Sequence, residues 1–458
     1  MVSEDHRKQY CCRSVCVIGG GPSGLVSARE LKKEGHSVVV FEQRSDVGGQ
    51  WLYEPVVGDD GDDDEEEEVH SSVYASLRLT SSREIMGFSD FPFRPKKGRD
   101  GRRFPGHGEL YSYLRDYCDW FGLREHMRFN TKVEYVGMLD KSYNSGDTPA
   151  ADNLKWVVRA VEKKTNKLIE QVYDAVVVAT GHYSHPRLPT NIKGMDTWKR
   201  KQLHSHIYRV PEPFQSEVVV VVGNCLSGQD ISMELVGVAK EVHLSAKSLE
   251  ISLGLSKIIS KTPTFHIHPE IDSLHEDGRV LFKDGSWVTA DTIIYCTGYS
   301  YTFPFLDTKG IVVVDNDRVG PLFEHTFPPS LAPSLSFVGI PRKILFSFFE
   351  VQARWIAQVL SKKRELPSWE DMMKSIKDFY QSLEAAGVPK YKTHEIASFE
   401  YCDKYGEYCD YPPVEQWKKE IVWATLKNAD ANLEDYREEW DDDEWLQQAL
   451  HSPHFNTF

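Results

Sequence analysis

The sequence predicts an α/β protein built from two dinucleotide-binding units, the second inserted into the first. Three observations predict it. Residues 14–42 and 217–244 each read as strand, glycine turn, helix and strand. Two similar apolar segments ending in Thr-Gly, YDAVVVATG (173–181) and DTIIYCTGY (291–299), bracket the second unit. And 458 residues exceed what one ordinary core holds.

In chain order, residues 14–18 read as a buried strand, 19–24 as the turn, 25–34 as a helix and 38–42 as the next strand. In the second unit the strand is 218–222, the turn 223–228, the helix 231–238 and the following strand 241–244. Both units are Rossmann-like. The crossings are the two Thr-Gly strands and the proline-containing stretch 185–189, and the chain returns to the first unit from about Phe303. The expected domains are 1–184 and 299–458 for the first unit and 185–298 for the insert. A further strand is expected over 335–340 and a helix over 345–360, with Phe348, Val351, Trp355 and Val359 as a core stripe.

Charge and cysteines narrow the function classes. The net charge is −15, concentrated in nine acids within 59–68 and eight within 434–444. Such runs read as solvated loops or tails, and they argue against a nucleic-acid partner. The apolar stretches are too short for a signal core or a membrane span, so no membrane partner and a cytoplasmic location are expected. Eight scattered cysteines form no CxxC pair and no zinc-type His/Cys spacing, so no metal is expected.

The first turn, GGGPSG, sets Gly19, Gly21 and Gly24 in GxGxxG spacing, with Glu42 about twenty residues on. Bare glycines let the backbone approach a pyrophosphate and seat the helix on the sheet, while the acid suits a ribose diol. The second turn, GNCLSG, repeats the spacing with Gly223, Cys225 and Gly228. After its second strand comes Lys247, where an NAD site would carry an acid; a cation suits a 2′-phosphate, which favours NADPH over NADH.

Two nested dinucleotide folds occur in disulfide reductases and in flavin monooxygenases. A reductase needs a redox cysteine pair, whereas the stretch after Glu42 reads SDVGGQW. This run resembles the flavin-containing monooxygenase family, as does WKRKQLHSHIY (198–208). In the latter, His204, Ser205, Tyr208 and the following Arg209 match the family motif, while Trp198 and Arg200 stand for its Phe and Gly. The resemblance extends through SLRLTSSREIMGFSDFPF (76–93), FPGHGELYSYL (104–114) and FFEVQARW (348–355), nearly the whole chain. It is similar to the plant S-oxygenating branch, the glucosinolate and alkyl-cysteine S-oxygenases. Tyr208-Arg209 departs from the Trp-Pro/Asp ending of the Baeyer–Villiger relatives.

The resemblance implies FAD and NADPH as cofactors and O2 as co-substrate. One oxygen would pass from a flavin hydroperoxide to the sulfur of a small thioether; the alternatives are N-oxygenation of amines or uncoupled peroxide production. Thr80, where many relatives carry Asn, is the expected catalytic position. The candidate cofactor-binding residues are Gly19, Gly20, Gly21, Pro22, Ser23, Gly24, Glu42, Gln43, Gly49, Gln50, Trp51, Thr180, Gly181, His204, Ser205, Tyr208, Arg209, Gly223, Asn224, Cys225, Ser227, Gly228, Lys247, Thr297, Gly298, Tyr299 and Gln352.

Overall fold

Two five-stranded parallel sheets organise the computed structural model, which describes residues 11–55, 69–139 and 154–456. The acidic run 59–68 lies outside the described residues. In chain order the strands are β1 (Ser14–Ile18), β2 (Ser37–Phe41), β3 (Met127–Arg128), β4 (Ala175–Val178), β5 (Lys201–His204), β6 (Val218–Val222), β7 (Glu241–Ser245), β8 (Phe265–His268), β9 (Thr292–Tyr295) and β10 (Leu335–Phe337). The first sheet runs β10-β4-β1-β2-β3 and the second β8-β7-β6-β9-β5. Every strand of the second sheet therefore falls between β4 and β10 of the first.

Alternation along β1 builds two cores. Val15 and Val17 face helices α1 (Pro22–Lys33) and, further on, Phe348–Leu360, while Cys16 and Ile18 face an antiparallel layer that includes Val136, Trp156 and Val158. With both faces covered, the strand reads as an unbroken apolar run. α1 begins at Pro22, three residues before the expected start, because proline at the first helical position has φ preset and needs no N–H partner. Its last turn carries Lys32 and Lys33, which complement the negative end of the dipole.

In the second unit, α2 (Leu226–Leu235) begins five residues earlier than expected. Its first turn exposes Leu226 and Ser227, so the helix carries no apolar period there. The helix α3 (Phe348–Leu360) holds the expected stripe, and Trp355, 1% exposed, stacks on Tyr408 with ring centroids 4.4 Å apart.

The reading of 434–444 as a solvated tail is corrected by the structure. Leu433 and Tyr436 are buried in the core of the second unit, and Arg437 pairs with Asp230 of α2 at 3.2 Å. Asp442, 4% exposed, accepts from both terminal nitrogens of Arg103 at 2.6 and 2.9 Å. The other acids of the run are exposed, while Leu433, Tyr436, Arg437 and Asp442 dock the segment. Among the described residues, no helix is long and apolar enough to cross a membrane.

Candidate functional site

The first glycine turn is built by contacts no side chain would permit. Gly19 sits at φ +105°, and a Cβ there would lie 2.5 Å from the Ala179 carbonyl oxygen. A Cβ on Gly24 would lie 1.8 Å from the Gly19 oxygen, so only glycine seats α1 against the turn. Gly20 backs onto Glu42: a Cβ would meet Glu42 Oε2 at 2.9 Å. Gly48 donates its N–H to the Gly20 carbonyl at 3.0 Å, bringing Gly49 opposite Gly21.

Around this turn lies a cavity of about 500 Å³ at the carboxyl ends of β1, β2, β4 and β10, the place where open α/β sheets hold ligands. Gly19, Gly21, Pro22, Ser23, Glu42, Gln43, Gly49, Gln50, Trp51, Thr180 and Gly181 all line it. Glu42 is 4% exposed, and its two oxygens accept from the N–H of Gly20 at 2.6 Å and of Arg44 at 2.8 Å. Burial pushes the Glu42 carboxyl up from the usual carboxylate range, against those N–H groups, which pull it down. Two bare loops facing each other, a helix N-terminus and a buried acid at the end of β2 fit a dinucleotide with its pyrophosphate at the turn and its ribose at Glu42.

Sequence reasoning missed the far wall. His70, His182, Arg342, Ile344, Phe346 and Phe349 line the cavity from three separate segments. His182 Nδ1 donates to the Gly339 carbonyl at 2.8 Å, and burial, with Arg342 beside it, pushes the ring down to about 4, so it is neutral at physiological pH. Arg342 is held by Asp317 at 3.0 Å and lies over the Tyr301 ring at 4.2 Å. The only local signals were the positions of His182 after Thr-Gly and of Arg342 in a Gly-Ile-Pro-Arg turn. Gln352, 0% exposed, lies behind the wall: it accepts from the Gly339 N–H and donates to Thr326, both at 3.0 Å.

The second turn repeats the first atom for atom. Gly223 has φ +113°, with a would-be Cβ 2.5 Å from the Cys296 oxygen, and the Cβ of a residue at 228 would lie 1.7 Å from the Gly223 oxygen. Gly223 donates to Ser245 O at 2.9 Å just as Gly19 donates to Phe41 O at 2.9 Å. Cys225 replaces the middle glycine without strain, because its backbone is extended at φ −106°, ψ −171°. Asn224 accepts from Gln229 at 3.0 Å; Ser227 and Lys247 are exposed, and Lys247 makes no ion pair among the described residues. Thr297 and Gly298 follow β9, and Thr297 Oγ1 donates to the Arg187 carbonyl at 2.5 Å.

The motif at 198–209 occupies the junction of the units. His204 Nε2 donates to the Gly298 carbonyl at 3.0 Å and its Nδ1 accepts from the His206 N–H at 3.0 Å; burial lowers the ring to about 4. Tyr299 packs edge-on against His204 at 5.1 Å and His206 at 5.7 Å. Ser205 is buried. Tyr208 donates to Glu234 of α2 at 2.7 Å, and Arg209 donates to four carbonyls, those of Glu54, Ser71, His206 and Tyr208, at 2.7–2.8 Å. Both side chains are thus committed to the scaffold. Arg200 is absent from the left-handed region, and its guanidinium packs on Gly278 and bonds the Ala290 carbonyl at 2.7 Å. Thr80 is exposed on a bend off the cavity wall, in a segment whose Tyr74 and Ser76 bond Asp230 and Glu234 of α2.

A dinucleotide cavity at one glycine turn and a second, exposed glycine turn define a flavoprotein with a separate site for a nicotinamide reductant. The chain belongs to the flavin-binding monooxygenase-like family, whose model matches residues 12–265 and 255–434. FAD is its flavin and NADPH its reductant.

The similarity to individual relatives is strong. The chain is 63% identical over 454 residues to flavin-containing monooxygenase FMO GS-OX-like 9 of Arabidopsis thaliana, covering 97% of each chain. It is 46% identical to FMO GS-OX-like 3 of the same plant, covering 95% of this chain and 96% of the relative. Among solved structures, the S-allyl-L-cysteine S-oxygenase of Allium sativum superposes with a TM-score of 0.90 at 42% identity, over 98% of this chain and 100% of that one.

Proposed function

We propose that this monooxygenase S-oxygenates a small thioether, with the balance thioether + O2 + NADPH + H+ giving sulfoxide, NADP+ and water. The single observation that carries the reading is the cavity at the Gly19–Gly24 turn, walled by Glu42, in a chain that builds a second glycine turn of the same geometry at Gly223–Gly228. The printed activity of the Allium sativum structure supports sulfur as the acceptor atom. The bound flavin supplies the redox chemistry, accepting hydride and activating oxygen.

The protein's part is to bind, orient and exclude water. Gly19, Gly21 and Gly49 leave room for the pyrophosphate, and Glu42 receives the ribose. Thr180, Gly181, Gln50 and Trp51 complete the wall, while Gln352 positions Gly339 from behind. On the other unit, Gly223, Asn224, Ser227 and Lys247 receive NADPH, Lys247 as partner of the 2′-phosphate. The division at 184/185 and 298/299 belongs to this reading, supported by β5–β9 all lying inside it. Thr80 is the proposed polar neighbour of the reaction centre.

A cytoplasmic site of action is supported by eight free thiols. The net charge of −15 supports a small-molecule partner and no nucleic acid. Aerobic turnover with NADPH and a panel of thioethers and amines, followed by mass spectrometry, tests the reading. It predicts sulfoxides in step with NADPH consumed; N-oxides alone, or peroxide without oxygenated product, would overturn it.

A further inference from the structure

Far from the cavity, the edge of the second sheet carries a cluster that the oxygenation reading does not use. β7 and the edge strand β8 pair in parallel, with His243 opposite His266 and Ser245 opposite His268. Alternation puts Glu241, His243, His266 and His268 on one face, while Val242, Leu244 and Phe265 enter the core on the other. His243 is 5% exposed; Glu241 and His266 are half-buried.

Hydrogen-bond directions across this face can be followed from its outer end. Ser286 Oγ donates to Asp284 Oδ1 at 2.6 Å, which spends its one proton. Towards His268 Nδ1, 3.3 Å away, Ser286 is therefore an acceptor, so His268 carries its proton on Nδ1. His268 Nε2 then offers a lone pair to His243 Nδ1 at 2.9 Å, and the His243 ring donates there. That leaves a lone pair on His243 Nε2, 3.3 Å from Glu241 Oε2. Two acceptors facing each other repel unless a cation lies between them.

The spacing is that of a metal site. Two donor atoms each about 2.0–2.1 Å from one tetrahedral ion lie roughly 3.3 Å apart. The ligand atoms of Glu241, His243 and His266 all lie within 4.8 Å of one another, and the half-buried His266 ring stacks on that of His243 with centroids 4.8 Å apart. We propose that Glu241, His243 and His266 bind one divalent transition-metal ion of the zinc type, with a solvent water as fourth ligand. Two imidazoles and one carboxylate suit Zn2+ and Co2+ rather than Mg2+ or Ca2+. His268 acts as the outer acceptor that fixes the His243 ring, and the ion fastens β8 to β7. The three residues lie on two strands, joined by register rather than by a ligand spacing in the sequence.

The test uses the FAD-loaded protein, stripped with a chelator and titrated with Co2+ and then Zn2+. One equivalent of Co2+ should bind with the visible absorption of a four-coordinate ion, and Zn2+ should displace it. His266→Ala and Glu241→Gln, both half-buried and far from the glycine turns, should abolish that spectrum while keeping FAD content and NADPH oxidation. Ser286→Ala, which frees the His268 tautomer, should weaken Co2+ binding about 10- to 100-fold. Co2+ held no more tightly by the native chain than by the His266→Ala, Glu241→Gln double variant would overturn the proposal, and a proton would then bridge His243 and Glu241.

Discussion

Gly21 and Gly24 lie in one turn, yet the structure assigns them opposite sensitivities, and that contrast tests the cofactor site most directly. Gly21 has an extended backbone at φ −76°, ψ −172°, which any residue adopts, and a Cβ would stand 3.5 Å from Gly49 Cα, an ordinary contact. In the apo-protein Gly21→Ala should therefore be neutral or stabilising by about 0.4–1 kcal/mol, from reduced freedom of the unfolded chain. The same methyl projects into the gap between the two loops, where the pyrophosphate must approach. Displacing one charge-assisted backbone contact of about 1.5–3 kcal/mol weakens FAD binding roughly ten- to hundred-fold, and Gly21→Val, with two further methyls, should abolish retention. Gly24→Ala instead drives a Cβ to 1.8 Å from the Gly19 oxygen, so backbone must shift and the fold itself should lose about 1–3 kcal/mol or more. The assays are the flavin-to-protein absorbance ratio after purification and the thermal midpoint of the flavin-free protein. Stoichiometric FAD on folded Gly21→Val would refute the assignment of this turn.

Other outcomes follow from the second unit and the junction. Lys247→Asp should raise the KM for NADPH about ten- to hundred-fold while leaving that for NADH nearly unchanged; equal shifts would remove the 2′-phosphate role. Thr80→Val keeps shape but deletes a hydroxyl, so NADPH should still bleach the flavin while peroxide per NADPH rises and sulfoxide falls; unchanged coupling would make Thr80 scaffold. Stability should also depend on pH. His204 titrates at about 4 in the folded state against 6.5 as the reference, so its contribution is full above pH 6.5 and is lost as pH falls towards 4. His204→Gln should therefore flatten the stability slope in that window by up to about 1.4 kcal/mol per pH unit, one proton's worth; an unchanged slope in denaturant titrations would show that the ring is not held neutral.

Both glycine turns were legible because each repeats one short spacing, in which the last glycine packs on the carbonyl of the first. Gly19 and Gly24 are fixed by neighbours one strand and one helical turn away, and the second turn repeats the same contacts with Gly223 and Gly228. Cys225 did not spoil the pattern, since its backbone is extended and only the first and last positions need glycine. The rest of the site was hidden for a different reason. His182, Arg342 and Phe346 meet only after the insert has been threaded between β4 and β10, and no local period connects them. The segment 433–442 misled because its acids dominate the composition, while Leu433, Tyr436, Arg437 and Asp442 do the docking.

The family motif around His204 works through the junction rather than through the cavity. Arg209 donates to carbonyls of Glu54 and Ser71 from the first unit and of His206 and Tyr208 from its own segment, so one guanidinium ties the two units together. His204 does the same in reverse, gripping Gly298 at the crossing while its ring meets Tyr299. On the proposed reading hydride passes only when NADPH on one unit reaches FAD on the other, so the angle between the units matters as much as either pocket. Residues that fix this angle need not touch either cofactor. Burial of Arg209, at 6% exposure, makes lysine a poor substitute, because a single ammonium cannot span four carbonyls. Arg209→Lys should consequently retain FAD, which the proposed reading places at the first glycine turn, and yet slow flavin reduction at saturating NADPH. Stopped-flow reduction separates the two, and a loss confined to NADPH affinity would place Arg209 in the binding site instead of the junction.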